Sequence, residues 1–256
     1  MRPHAVQAAS ARQAGLKAFM AGALAVLLLC LGAISALAGD RALINYLGYS
    51  TDLRHFAFEE FGIQDGSGFA YANVYVIDLR TDSWVAGTPI RMRSDDQAVT
   101  LATIRAQAMT KAGAVLADLD IGVPVEIAAL LGDGVPDADG KSLVFGAPAY
   151  QPGSVSGRHE LSLSAFPAEA ANPCMDWFAA APLGFELTLS EDGTARRVHR
   201  DAALPAARGC PQDYRLHSVV MPFGGLALEH AVAIVSSYPG GFEGPDRRFL
   251  AVPLAP

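Results

Sequence analysis

A mostly β, α+β domain is the fold class this sequence predicts, and three observations predict it. Short apolar or alternating runs recur from Leu43 almost to the C-terminus. Turns rich in Gly, Pro, Asp or Ser punctuate them. A single segment, following Ser94, carries its apolar residues at helical rather than strand spacing. Antiparallel meanders joined in this way form a sandwich, a barrel or a partial propeller-like body, here with one long helix near residues 95–117.

The first element in the chain is a targeting segment. Residues 1–38 hold Arg2, Arg12 and Lys17 and no acid, and an almost unbroken apolar stretch from Ala18 exits through Ala36-Leu37-Ala38. A basic start, an apolar middle and a small-x-small exit form the pattern a signal peptidase reads, so cleavage is expected between Ala38 and Gly39. About 20 apolar residues can also span a bilayer, which makes a retained anchor the competing reading. Cys30 is not expected to be lipidated, because Leu29 before it is not small. On this reading residues 39–256 are a single exported domain, periplasmic or secreted, with no stable membrane anchor after cleavage.

The exported part opens on strands. Leu43–Leu47, His55–Glu59 and Asn73–Leu79 alternate or run apolar, and Ser50-Thr51-Asp52 and the Gly62–Gly68 loop separate them. Ser94-Asp95-Asp96-Gln97 then has the form of a capping box, with two acids near the positive end of the helix dipole. Leu101, Ile104, Ala108, Ala112, Val115 and Leu119 follow as one apolar stripe. Beyond Asp118 short strands return at Val123–Leu130, Ser142–Gly146, Glu160–Ala165, Phe185–Leu189, Ala195–Val198, Leu216–Met221, Leu228–Val235 and Phe249–Val252. The Gly/Pro/Ser-rich stretch Gly146–Gly157 is a surface loop or an internal linker.

Charge and cysteine content narrow the partners. Removing residues 1–38 leaves 16 basic against 26 acidic residues, a formal net charge of −10. Without a run of Lys or Arg such a chain is not expected to bind nucleic acid or to dock on anionic lipid. Cys174 and Cys210 are the two cysteines outside residues 1–38. In an oxidising compartment such a pair is most simply a disulfide.

Two resemblances rest on particular phrases. Gly48-Tyr49-Ser50-Thr51-Asp52 through Phe58, followed by Val74-Tyr75-Val76-Ile77-Asp78-Leu79, resembles one blade of a TolB-like propeller over residues 47–83. No second copy follows at a period of about 40 residues, so a local β-meander is implied rather than a propeller. Phe56-Ala57-Phe58-Glu59-Glu60-Phe61-Gly62, Trp84-Val85-Ala86-Gly87-Thr88-Pro89 and Gly241-Phe242-Glu243-Gly244-Pro245-Asp246-Arg247-Arg248-Phe249 resemble a family of bacterial predicted secreted proteins, domain-of-unknown-function family 2259. That resemblance implies export and a single domain; it brings no activity.

Familiar chemistry is missing from the sequence. Gly153-Ser154-Val155-Ser156-Gly157 has Val155 where a nucleophile elbow needs serine. The acidic loop Asp133–Gly140 lacks an acid at Val135 and ends without the glutamate of a calcium hand. The histidines outside residues 1–38 (His55, His159, His199, His217 and His230) show no metal-ligand spacing, and no cofactor or metal is expected. What remains is polar: Glu59, Glu60 and Asp65 near one end of the domain, and Glu243, Asp246, Arg247 and Arg248 near the other. If the first and last strands pair, these groups meet and bind a periplasmic ligand or protein. Glu59 and Glu60 fall on opposite faces of a continuing strand, so only one of them can serve a given site. The function expected is a non-catalytic binding or interaction domain. A paired-carboxylate envelope hydrolase and a structural or assembly factor of the envelope are the alternatives.

Export has a direct check. Edman sequencing of the protein from a periplasmic extract should begin at Gly39; an intact Met1 in the membrane fraction would show a retained anchor instead.

Overall fold

The computed structural model describes residues 39–135 and 138–255, and the expected signal peptide lies outside the described residues. The chain builds β1 (Leu43–Ser50), β2 (His55–Ile63), β3 (Ala70–Asp78), β4 (Ser83–Trp84), β5 (Ile90–Arg93), helix α1 (Leu101–Asp118), β6 (Ile121–Val123) and β7 (Val125–Leu130). It continues through β8 (Ser142–Pro148), β9 (Val155–Pro167), the short helix α2 (Cys174–Phe178), β10 (Leu183–Glu191), β11 (Thr194–Arg200), β12 (Pro211–Pro222), β13 (Val232–Pro239) and β14 (Arg248–Pro253). The strands form three antiparallel sheets and no closed barrel. One runs β4-β3-β2-β1-β6, with β5 beside β4 on the outer edge of β3; the second runs β11-β10-β9-β8; the third runs β14-β13-β12-β7.

Apolar packing sets the layers. α1 lays Ile104, Ala108 and Ala112 against Phe61, Ala72 and Val74 of the first sheet. The opposite face of that sheet, through Phe56 and Phe58, packs on Val220, Ile234 and Phe249 of the third sheet. The other face of the third sheet, through Leu216, Val219 and Val235, packs on Leu161, Phe185 and Leu187 of the second. The third sheet is therefore central. This position explains why β13 is an unbroken apolar run at its start rather than an alternating one: both its faces are covered. β9 lies in the outermost sheet and alternates, with Leu161 and Leu163 inward and Ser162 and Ser164 exposed. Pro124 separates β6 from β7 at the point where the chain leaves the helix-covered sheet for the central one.

The mostly β reading with one long helix is what the chain adopts, as stacked sheets rather than a propeller. The blade-like segment is the meander β1–β4. The helix begins later than its sequence suggests. Ser94 and Asp96 form their own turn, with Ser94 Oγ accepting from Asp96 N at 2.9 Å and Asp96 Oδ1 accepting from Ala98 N at 2.8 Å. Local side-chain bonds of this kind compete with helix. Thr100 is the N-cap instead, its hydroxyl accepting from Thr103 N at 3.2 Å. Gly146–Gly157 is the tip of the β8–β9 hairpin: Ala147 pairs with Ser156 and Pro148 with Val155, and residues 149–154 connect the two strands.

Cys174 and Cys210 are disulfide-bonded, with Cα atoms 5.5 Å apart. The bridge closes a two-part wall. Ala171 N donates to Leu204 O, and Asn172 Nδ2 donates to Ala206 O at 2.9 Å, so residues 169–174 lie along residues 204–210. Phe178 packs directly on Gly240, where a Cβ would lie 2.6 Å from the ring and would not fit.

β2 is covered on both faces, and Glu59 and Glu60 are each 1% exposed. Glu59 points to the helix. Arg105 grips it with two bonds, Nε to Oε1 at 2.9 Å and Nη2 to Oε2 at 2.7 Å, while its guanidinium lies 3.7 Å from the centroid of Phe61. Removing Arg105 strands a buried carboxylate, so Arg105→Ala should lose about 3 kcal/mol in urea unfolding. The double variant Glu59→Met/Arg105→Met, which removes both charges, should recover most of that loss.

Candidate functional site

Beyond the free edge of β14 the central sheet ends, and the helix-covered sheet faces the loop that precedes Cys210 across a cleft of about 410 Å³. Register places its floor. Glu60 on β2 lies opposite Asn73 on β3, and Asn73 lies opposite Arg91 on β5, so three polar side chains form one row on one face. The neighbouring row is aromatic: Phe58 stacks on Tyr75 at 4.8 Å, and Trp84 lies 5.1 Å from Tyr75. Arg208, in the 3₁₀ turn Ala206–Arg208, and Arg248, at the start of β14, come from the opposite walls. Two smaller cavities continue the groove, one past Trp84 to His199 and one past Asn73 to Tyr71 and Arg93.

Glu60 is the most constrained group on the floor. Its Oε2 accepts from the backbone N–H of Phe249 at 2.8 Å, and its Oε1 accepts from Asn73 Nδ2 at 3.1 Å and Tyr75 OH at 3.4 Å. Burial pushes its carboxyl above the usual range, against the pull of nearby Arg248 and of these donors. Arg248 is shared: Nη2 donates to Asp40 Oδ2 at 2.8 Å and to Asp246 Oδ2 at 3.2 Å, and Nη1 donates to Tyr71 OH at 3.1 Å. Burial also raises the Asp40 and Asp246 carboxyls, with Arg248 opposing it in both. Gly62 is opposite Tyr71 in the strand pair, and a Cβ there would fall 2.7 Å from the Tyr71 hydroxyl, so the ring can lie flat only over glycine.

The two ends of the domain do meet, although β1 and β14 do not pair with each other. The contact is made by Asp40–Ala42, with a parallel bridge between Arg41 and Arg247 and Asp40 N donating to Asp246 Oδ1 at 2.9 Å. Of the residues singled out in the sequence, Glu60, Asp246 and Arg248 line the cleft. Glu59 is on the far face with Arg105. Arg247 turns the other way, to Asp133 at 2.6 Å and to the carbonyl of Ala42. Asp133, which opens the acidic loop, is thereby an ion-pair partner. Asp65 sits in the turn after β2, where its Oδ1 accepts from Gly66 N, and Glu243 is on the exposed turn before β14. Asp40, Tyr71, Asn73, Trp84, Arg91 and Arg208 were not singled out by sequence reasoning. The alternation of β3 and β5 was the available signal for Asn73 and Arg91, which follow Glu60 onto its face once the register is known.

At the second end of the groove His199 bridges two sheets. Its Nε2 lies 3.1 Å from Asp201 Oδ1 and its Nδ1 lies 3.7 Å from Asp82 Oδ2, while the ring stacks on Phe185 at 4.6 Å. Burial pulls the imidazole pKa down, but the carboxylates of Asp201 and Asp82 outweigh it and hold it at about 9. An unfolded histidine titrates near 6.5. The bridge therefore contributes fully below about pH 6.5, and its contribution is lost as the pH rises through about 9. In calorimetry the Tm gap between the wild type and His199→Gln should be widest near pH 6 and should shrink steadily toward and beyond pH 9. A gap that stays constant would mean the ring is not charged in the folded protein.

Comparison with curated proteins and with solved structures finds no match. Residues 57–255 match the family model described as "Predicted secreted protein (DUF2259)", a description consistent with a secreted or periplasmic location. The match spans all three sheets and both walls of the cleft, and the chain belongs to that family of predicted secreted proteins.

Proposed function

We propose that this is a non-catalytic binding protein of the cell exterior or periplasm, with its ligand in the cleft beside β14. The observation that carries this reading is where donor capacity is left over. Arg91 is exposed and makes no ion pair within 4.0 Å among the described residues, and Arg208 makes only long contacts, 3.4 Å each, to Asp201 and to the Tyr214 hydroxyl. Both line the same cavity as Trp84. The volume of about 410 Å³ falls within the range of about 300–1,000 Å³ usual for small-molecule sites.

The hydrolase alternative has one observation in its favour. Glu60 is a buried acid with a raised pKa in the same cavity as Asp246, the pattern of a paired-carboxylate site. Its oxygens, however, are taken by Phe249 N–H, Asn73 and Tyr75, and those of Asp246 by Asp40 N–H and Arg248. Carboxylates held this way anchor the floor, and the reading here is structural for both.

The test is NMR on ¹⁵N-labelled protein titrated with a small-molecule extract of the native envelope. Shifts should cluster at the Trp84 indole, the Arg91 and Arg208 side chains and the Phe249 amide, and should vanish in Trp84→Ala. Shifts confined to surface away from the cleft, or none, would defeat the reading. Conversion of a component of the extract that stops in Glu60→Gln would move the protein to the hydrolases.

A further inference from the structure

The cleft carries more than spare charge, and its mixture of groups narrows the ligand class. Trp84 is 40% exposed and inclined at 48° to Tyr75, so its own ring offers an apolar face beside the polar row. Asn73 spends its amide N–H on Glu60, which leaves its Oδ1 to accept from a ligand hydroxyl. Ser237 also lines the cavity and is 1% exposed. Among the described residues its Oγ completes no hydrogen bond, and its polar neighbour is the hydroxyl of Tyr214, the residue opposite it in the strand pair. A buried hydroxyl left without a full bond is costly, and a ligand that supplies the missing partner recovers that cost. Arg91 and Arg208 present guanidinium forks, whose geometry suits a carboxylate or sulfate better than a point charge does.

A ring with an apolar face, several hydroxyls and an oxyanion satisfies all of these at once. Resting on the binding reading above, we propose that the cleft takes an acidic saccharide. The sugar ring lies against the exposed face of Trp84, its hydroxyls meet Asn73 and Ser237, and its carboxylate or sulfate is held by Arg91 and Arg208. The overall negative charge of the protein sharpens the point. An anionic sugar is repelled by most of the surface and is accepted where Arg91 has no carboxylate partner within 4.0 Å among the described residues and Arg208 has only a long one.

Tryptophan fluorescence tests this, because Trp84 and Trp177 are the two tryptophans and Trp177→Phe leaves Trp84 as the reporter. Trigalacturonate and glucuronate should change the signal saturably, and galactose or glucose oligomers of equal length should bind at least about tenfold more weakly, a difference of about 1.4 kcal/mol. Arg91→Ala and Arg208→Lys should each weaken binding of the acidic sugar by about tenfold without affecting that of the neutral one. The first site is exposed and the second keeps its charge, so both variants should fold, which circular dichroism melts will check. Equal binding of neutral and acidic sugars, equal binding of plain acetate or sulfate, or no response to either acidic sugar would overturn the proposal. If the envelope extract still perturbs the cleft while both acidic sugars fail, the ligand class is wrong and the binding reading stands. If neither perturbs it, both fall.

Discussion

Two adjacent buried glutamates govern this architecture. β2 is covered on both faces, yet it carries Glu59 and Glu60 at its middle, each 1% exposed. The pleat sends them in opposite directions, so each must be compensated by a different layer. Glu59 fixes α1 to one face through Arg105. Glu60 fixes the edge of the central sheet to the other by accepting the Phe249 N–H of β14. A slip of one residue in β2 would exchange the two carboxylates and present each to a wall built for the other, which makes register unusually well specified here.

The cleft is a product of the same constraint. Because Glu60 caps an outward-facing amide of β14, that edge acquires no further strand, and the first sheet and the Arg208 loop face each other past it. Exposed strand edges invite pairing with other chains. Here the edge is occupied at Phe249 by a side chain and overhung by Trp84, which line the cavity together. His199 ties the same two walls together further along, so the groove is clamped from floor and end at once.

The strands and the helix could be read from periodicity because each face they bury is long enough to leave a pattern: Ile104, Ala108 and Ala112 at helical spacing, Leu161 and Leu163 at strand spacing. The disulfide was legible from cysteine arithmetic, and the separation of Glu59 from Glu60 from the pleat alone. The start of α1 was not, because Ser94 and Asp96 can close a local turn as readily as they cap a helix, and only the tertiary context selects Thr100. Sheet order was also hidden. Nothing in β6 or β7 announces that Pro124 hands the chain from one layer to another. Trp84, Arg91 and Arg208 come from three separate segments with no shared motif, and they become one site only when β5, β4 and the loop before Cys210 are brought together.

The disulfide links that site to the compartment. Arg208 stands two residues before Cys210, and the wall it belongs to is held to residues 169–174 by the bridge and by a few backbone and amide hydrogen bonds. Without the bridge the two segments would be joined by their hydrogen bonds alone, and a disulfide of this kind persists in an oxidising compartment rather than in a reducing cytosol. The wall that carries Arg208 is thus completed by the oxidising setting that the family's description as secreted implies, and on the binding reading proposed above its donors are in place where the ligand is met.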